Sequence, residues 1–182
     1  MAGAAEVIFR SGEADLIRDA KRGDGAAFAE IIRPHYDAAF RLAYGLLHDA
    51  GEAEDAVQDA AFKAWRRLGN LHEGASLRPW FLGIVANQCR DVSRSAWWSV
   101  LKVDPPEEAS LPPDLAASID LRRAVRRLSH DERLVLVLRY YLDTPFEEIA
   151  TTLGISTRAA RSRVERAVHR LRPIVKVQGA AV

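Results

Sequence analysis

Along this chain apolar residues recur every three or four positions rather than every second one, which predicts helices almost throughout. Residues 14–21, ADLIRDAK, form a short amphipathic turn. Asp24 stands where an N-cap belongs, ahead of a helix carrying Phe28, Ile31 and Ile32. Pro34 either kinks that helix or opens the next, which carries Tyr36, Phe40, Ala43 and Leu47. From about 52 to 68 a further helix places Ala53, Val57, Ala60, Ala64 and Leu68 on one face. Residues 69–76, GNLHEGAS, read as a polar loop. Ser76 then caps the long helix SLRPWFLGIVANQCRDVSR, with Pro79 tolerated in its first turn.

The period is lost over SVLKVDPPEEASLPPDLAA (99–117), where two Pro-Pro pairs stand among acids and favour extended backbone. A second helical unit starts near Ile119, with Leu121, Val125 and Leu128 on one face. Ser129 and Glu132 make a capping box that opens DERLVLVLRYYL. Thr144 and Glu147 predict a second box, with Pro145 at the first helical position. That helix stops at Gly154, a left-handed C-cap. Ser156 caps the last helix, about 157–172, and Pro173 is expected to end it. With no strand signal, the expected fold is all-α: two small helical domains joined by a flexible linker.

Composition narrows the chemistry. In 182 residues there is one cysteine, Cys89, so no internal disulfide and no CxxC metal pair. The five histidines are scattered, and no nucleophile–base pair or phosphate loop is seen. Neither an enzyme nor a metal or cofactor is expected. No apolar run approaches the roughly 20 residues that span a bilayer, and the first residues lack a signal-peptide stretch. A soluble, cytoplasmic protein without membrane insertion is expected. The net charge of +1 hides an asymmetry. Residues 1–116 hold 18 acids and 13 bases; residues 117–182 hold 7 and 13. A basic second half points to phosphates as its partner.

The stretch TPFEEIATTLGISTRAARSRVERAVHR (144–170) makes that concrete. A helix, a short turn with Gly154 and a second helix form a helix-turn-helix. Ile149, Ala150, Leu153, Ile155, Ala160, Val164 and Ala167 supply its core, and Ala150 is small enough for a close crossing. Arg158, Arg161, Ser162, Arg163 and Arg166 fall on the opposite face. Arginines there reach base edges in a major groove or hold phosphates.

Four stretches, GDGAAFAEII, AEDAVQDAAFKAWRRL, SLRPWFLGIVANQCRDVSR and the segment 128–172, together resemble the extracytoplasmic-function (ECF, group IV) sigma factors of bacterial RNA polymerase. The resemblance rests on the ED-x-x-QD, W-x-x-x-I-x-x-N-x-x-x-D-x-x-R and EEIA-x-x-LGIS patterns. It implies a σ2 domain at 10–96, a linker at 97–116 and a σ4 helix-turn-helix domain at 117–175. Glu54, Asp55, Gln58 and Asp59 would then dock on the β′ clamp helices. Asn70, Ser76, Leu77, Arg78, Trp80 and Asn87 would capture the minus-ten element as it melts. Such capture needs a planar surface to stack a flipped base and an amide to read its edge. Trp80, a tryptophan in a long apolar helix, reads more readily as core. Ser156, Arg158, Arg161, Ser162, Arg163 and Arg166 would read the minus-thirty-five element, while σ4 also packs on the β flap. An anti-sigma factor is a further partner the family implies. The acidic linker, with Glu107 and Glu108, would thread toward the RNA exit path.

The sequence departs from many relatives in two places. SAWWSVLK replaces a run of arginines, and Trp97 and Trp98 there fit a base, a partner or the core. TRAARSR opens the recognition helix in an unusual way, with Arg158 in place of a small residue. A stand-alone helix-turn-helix regulator and a purely interacting helical adaptor are the rival readings.

Overall fold

The computed structural model describes the backbone of residues 2–100, 125 and 128–176, and the side chains of 12–94, 125 and 128–171. Among these residues every regular element is helical. The chain divides into two compact units, Met1–Cys89 and Arg90–Val182.

In the first unit, α1 (Ala2–Lys21) is far longer than the turn expected at 14–21. The chain breaks at Gly23, whose φ of 102° suits glycine alone, and enters α2 (Gly25–Ile32). Asp24 caps α2 as expected, its carboxylate accepting from the N–H groups of Ala26 at 2.9 Å and Ala27 at 3.1 Å. Pro34 sits in a 3₁₀ turn, Arg33–His35, that leads straight into α3 (Tyr36–Leu47). A tighter turn is one way to pass a residue that cannot donate.

Only His48 and Asp49 join α3 to α4 (Ala50–Arg67), which makes the two helices an antiparallel hairpin. Asp49 accepts from the Glu52 N–H at 2.9 Å, so α4 starts two residues before the expected 52. Ala39, Ala43, Ala53, Ala56, Ala60 and Ala64 are all buried, and α3 packs along α4. Side chains this small let the two backbones approach closely, and Leu42, Leu46 and Val57 supply the bulk.

The segment expected as polar loop begins in a 3₁₀ turn, Leu68–Asn70, and is anchored by buried Leu68 and Leu71. Lys21 Nζ donates to the Leu71 carbonyl at 2.6 Å, tying α1 to this segment. Then α5 (Leu77–Val100) buries Leu77, Phe81, Leu82, Val85 and Cys89 along one stripe. It runs on past residue 96, where the linker was expected to begin. The remainder of that linker, with Glu107 and Glu108, lies outside the described residues, as do the side chains of Trp97 and Trp98.

In the second unit, α6 (His130–Leu136) opens with the expected capping box. The Ser129 hydroxyl accepts from the Glu132 N–H at 3.3 Å, and the Glu132 carboxylate accepts from the Ser129 N–H at 3.0 Å. A π-helical turn, Val137–Tyr141, extends it. α7 (Phe146–Leu153) ends at Gly154, φ 63°, where the Ile155 N–H donates to the Ala150 carbonyl at 3.0 Å. This closure satisfies a carbonyl left open at the helix end. α8 (Thr157–Lys176) follows, with the Ser156 Oγ accepting from the Ala159 N–H at 3.2 Å. Leu134, Val135, Leu138, Ile149, Ala160, Val164 and Ala167 make the core, as α8 packs on α6 and α7. Leu153 and Ile155, expected in that core, are half-buried.

Two expectations fail here. Pro173 does not end α8, which continues to Lys176. A proline inside a helix removes one donor and crowds one carbonyl, which near a helix end is tolerable. The second capping box is also absent. Pro145, with ψ 154°, is extended and is itself the cap residue, so Thr144 lies outside the register and Glu147 is one position too early. Thr144 is buried, and its Oγ1 has no hydrogen-bond partner among the described residues.

Two predictions follow from these buried groups. Thr144→Val removes the orphan hydroxyl and keeps the shape, so the second unit should gain about 1 kcal/mol in denaturant unfolding. A loss would reinstate Thr144 as a cap. Burial pushes the Cys89 thiol up to about 12. In the folded chain it should resist maleimide at pH 8 and react once urea unfolds the protein. Because only the unfolded thiol ionises between about pH 9 and 12, stability should fall as pH rises through that window. Rapid native labelling would show that the packing around Cys89 is wrong.

Candidate nucleic-acid interface and docking face

α8 has two unlike faces. Ala160, Val164 and Ala167 are buried at spacings of four and three. Arg158, Arg161, Ser162 and Arg166 are exposed on the other side, and Arg163 is half-exposed between them. Burial of one stripe therefore fixes where every arginine points. No ion pair is formed by Arg158, Arg161, Arg163 or Arg166 among the described residues. Arg170 differs, since it pairs with Glu132 at 3.0 Å and is held against α6. Four unneutralised guanidiniums on one helix, presented next to a capped N-terminus, suit phosphates and guanine edges.

Two features of this face modify the expectation. The Ser156 Oγ already accepts a cap bond, so its remaining capacity toward DNA is mainly its own O–H. Glu165 is exposed within the same stripe and was not singled out by the arginine pattern. Its helical position, four residues after Arg161, was the available signal. A carboxylate there can accept from a cytosine amine.

On α4, Glu54, Asp55, Gln58 and Asp59 are all exposed, opposite the buried Ala53, Ala56, Val57 and Ala60. The stripe continues one turn further to Phe62, an aromatic side chain 63% exposed. The Arg66 guanidinium lies 6.0 Å from that ring. An acidic face with an apolar group at its end suits a basic partner that also offers apolar contact.

Asp59 is not simply free in solvent. It accepts from Gln88 Nε2 at 2.8 Å, while Gln88 Oε1 accepts from Lys63 Nζ. Gln88 is buried on α5, so one amide links the two helices and holds the Asp59 carboxylate. Sequence reasoning picked Asn87 and passed over Gln88. The signal was present: Gln88 follows buried Ile84 by four, whereas Asn87 falls off that stripe and is exposed.

The residues expected at the melting site divide. Asn70 and Ser76 are exposed on the segment before α5, and Arg78 and Trp80 are half-buried in its first turns. Asn87 follows Trp80 by seven residues, which puts both on one side of α5. Leu77 is different: its side chain is fully buried and packs in the core, so it presents nothing to a base. Its apolar character at the first helical position decides this. Among the described residues no cluster of His, Cys, Asp and Glu could hold a metal ion. None of their helices is long and apolar enough to cross a membrane.

Comparison with known proteins matches the two segments that carry these faces to known families. The Sigma-70 region 2 family model matches residues 31–99, and the Sigma-70 region 4 model matches 124–173. The chain is similar to the ECF RNA polymerase sigma factor SigL of Mycobacterium tuberculosis, at 32% identity over 163 residues. This covers 82% of this chain and 92% of that one. It is also similar to the probable RNA polymerase sigma factor RfaY of Xanthomonas campestris pv. campestris, at 29% identity over 81% of this chain. There it spans 40% of the longer relative. Among solved structures it resembles the sigma factor RpoE of Bartonella quintana, crystallised with the anti-sigma factor NepR. The TM-score is 0.61 at 26% identity, covering 82% of this chain and 97% of that one.

Proposed function

The chain belongs to the sigma-70 family of RNA polymerase sigma factors, in its ECF branch, and from that premise we propose how its residues divide promoter selection. It is a transcription initiation factor that binds core RNA polymerase and promoter DNA. Residues 10–96 act as σ2, residues 117–175 as σ4, and 97–116 as the linker between them. Glu54, Asp55, Gln58 and Asp59 dock on the β′ clamp helices, with Gln88 holding Asp59 in place for the contact. Asn70, Ser76, Arg78, Trp80 and Asn87 receive the minus-ten strand as it opens. Trp80 offers a partly exposed ring for stacking, and Asn87 an exposed amide to read a base edge.

The minus-thirty-five element is read by Arg158, Arg161, Ser162, Arg163 and Arg166 on α8, with Ser156 at its start. One observation carries this reading: Arg158, Arg161 and Arg166 stand exposed opposite the buried Ala160–Val164–Ala167 stripe with Arg163 half-exposed at its flank, and none of the four forms an ion pair among the described residues. The apolar end of α6 and its π turn, with Tyr140 and Tyr141 exposed, supply the surface that packs on the β flap. The phosphodiester chemistry belongs to the polymerase, and the chain works in the cytoplasm. The likeness to RpoE held by NepR supports an anti-sigma factor as a further partner.

Binding of holoenzyme to its promoter tests the two roles separately. Arg161→Ala should cost about 1–3 kcal/mol and relax the preference at one base pair. Arg166→Ala should weaken all sequences alike and lower the salt slope by about 1. Reversing Glu54 and Asp55 to lysine should weaken association with core polymerase while thermal stability holds, since both side chains are exposed. Tight promoter binding by the free chain, undiminished without polymerase, would favour a stand-alone regulator instead.

A further inference from the structure

Phe146 opens α7, the first helix of the helix-turn-helix, and is half-buried. Two guanidiniums lie by its ring. That of Arg161 is 4.5 Å from the ring centroid, and that of Arg139 is 5.1 Å away. The two cations are not equivalent. Arg139 donates to the Asp143 carboxylate and to the Thr144 carbonyl, each at 3.4 Å, so its charge is met by the turn that precedes α7. Arg161 has no such acceptor among the described residues, and it is exposed on α8.

An exposed arginine has several rotatable bonds and loses rotamer freedom when fixed. A side chain left free would lose that only on meeting DNA. The contact with the Phe146 ring fixes part of it beforehand. The guanidinium N–H groups lie in its own plane, so a ring against its face leaves the donor edge open. Bidentate donation to guanine O6 and N7 uses that edge.

We propose that Phe146 is a positioning residue for base readout. The ring on α7 sets the plane of the Arg161 guanidinium, so the non-reading helix shapes sequence preference without touching DNA. The proposal rests on the reading of Arg161 as a base contact.

The test uses holoenzyme reconstituted from core polymerase and the full chain, selecting promoters from a library randomised across the upstream element. Arg161→Ala should flatten the preference at one base pair and so identify it. Phe146→Leu should lower discrimination at that pair about two- to fivefold, the range of a surface cation–π contact, and leave other positions unchanged. Phe146→Tyr keeps the ring and should retain discrimination. In an Arg161→Ala background, Phe146→Leu should change nothing further. Thermal unfolding of each variant separates lost fold from lost positioning, with Phe146→Met as a second ringless side chain. Equal loss at every position, or full discrimination in a folded ringless variant, overturns the proposal. If Arg161→Ala leaves every preference intact, Arg161 is not a base reader, and the proposal falls with that assignment.

Discussion

Burial of Ala160, Val164 and Ala167 against α6 and α7 governs the second unit. These three side chains are small, and a helix anchored by them sits close to its neighbours. Most helical stability in a folded protein comes from packing of an apolar face, and on α8 that face is narrow. Packing of the narrow stripe holds the helix, and the helix in turn sets the angular spacing of its arginines. Arg170 shows the contrast, because it turns back to Glu132 and joins the scaffold instead of the open face.

The first unit obeys a similar constraint with different chemistry. Alanines line α3 and α4 on their buried sides, so the acids of α4 have only the outer face to occupy. The buried amide of Gln88 then reaches from α5 to Asp59 and Lys63. A neutral group that can both donate and accept suits this place, since it satisfies a carboxylate and an ammonium without adding charge to the interior. Through it, the helix bearing Trp80 and Asn87 is connected to the helix bearing Glu54, Asp55 and Asp59.

Where sequence and structure differ, the cause is local geometry that residue types underdetermine. The pattern Thr144, Pro145, Glu147 fits a capping box, but Pro145 admits either helical or extended ψ and takes the extended one. This single torsion leaves Thr144 in the core. Pro173 was a stop signal by type, yet the helix passes through it near its end. Leu77 was grouped with the melting loop by motif position, while its side chain fills the core under α5.

The sequence alone determined the helical character, the caps at Asp24, Ser129, Gly154 and Ser156, and the opposition of arginines to small apolar residues on α8. These are one-dimensional properties: period, cap chemistry and backbone freedom act within a few residues. Tertiary structure alone decided that Gln88 reaches Asp59 across 29 positions, that Lys21 holds Leu71 across 50, and that the Arg161 guanidinium lies 4.5 Å from the Phe146 ring centroid. Each joins groups on different elements, and their meeting depends on how the helices pack, which no local pattern encodes.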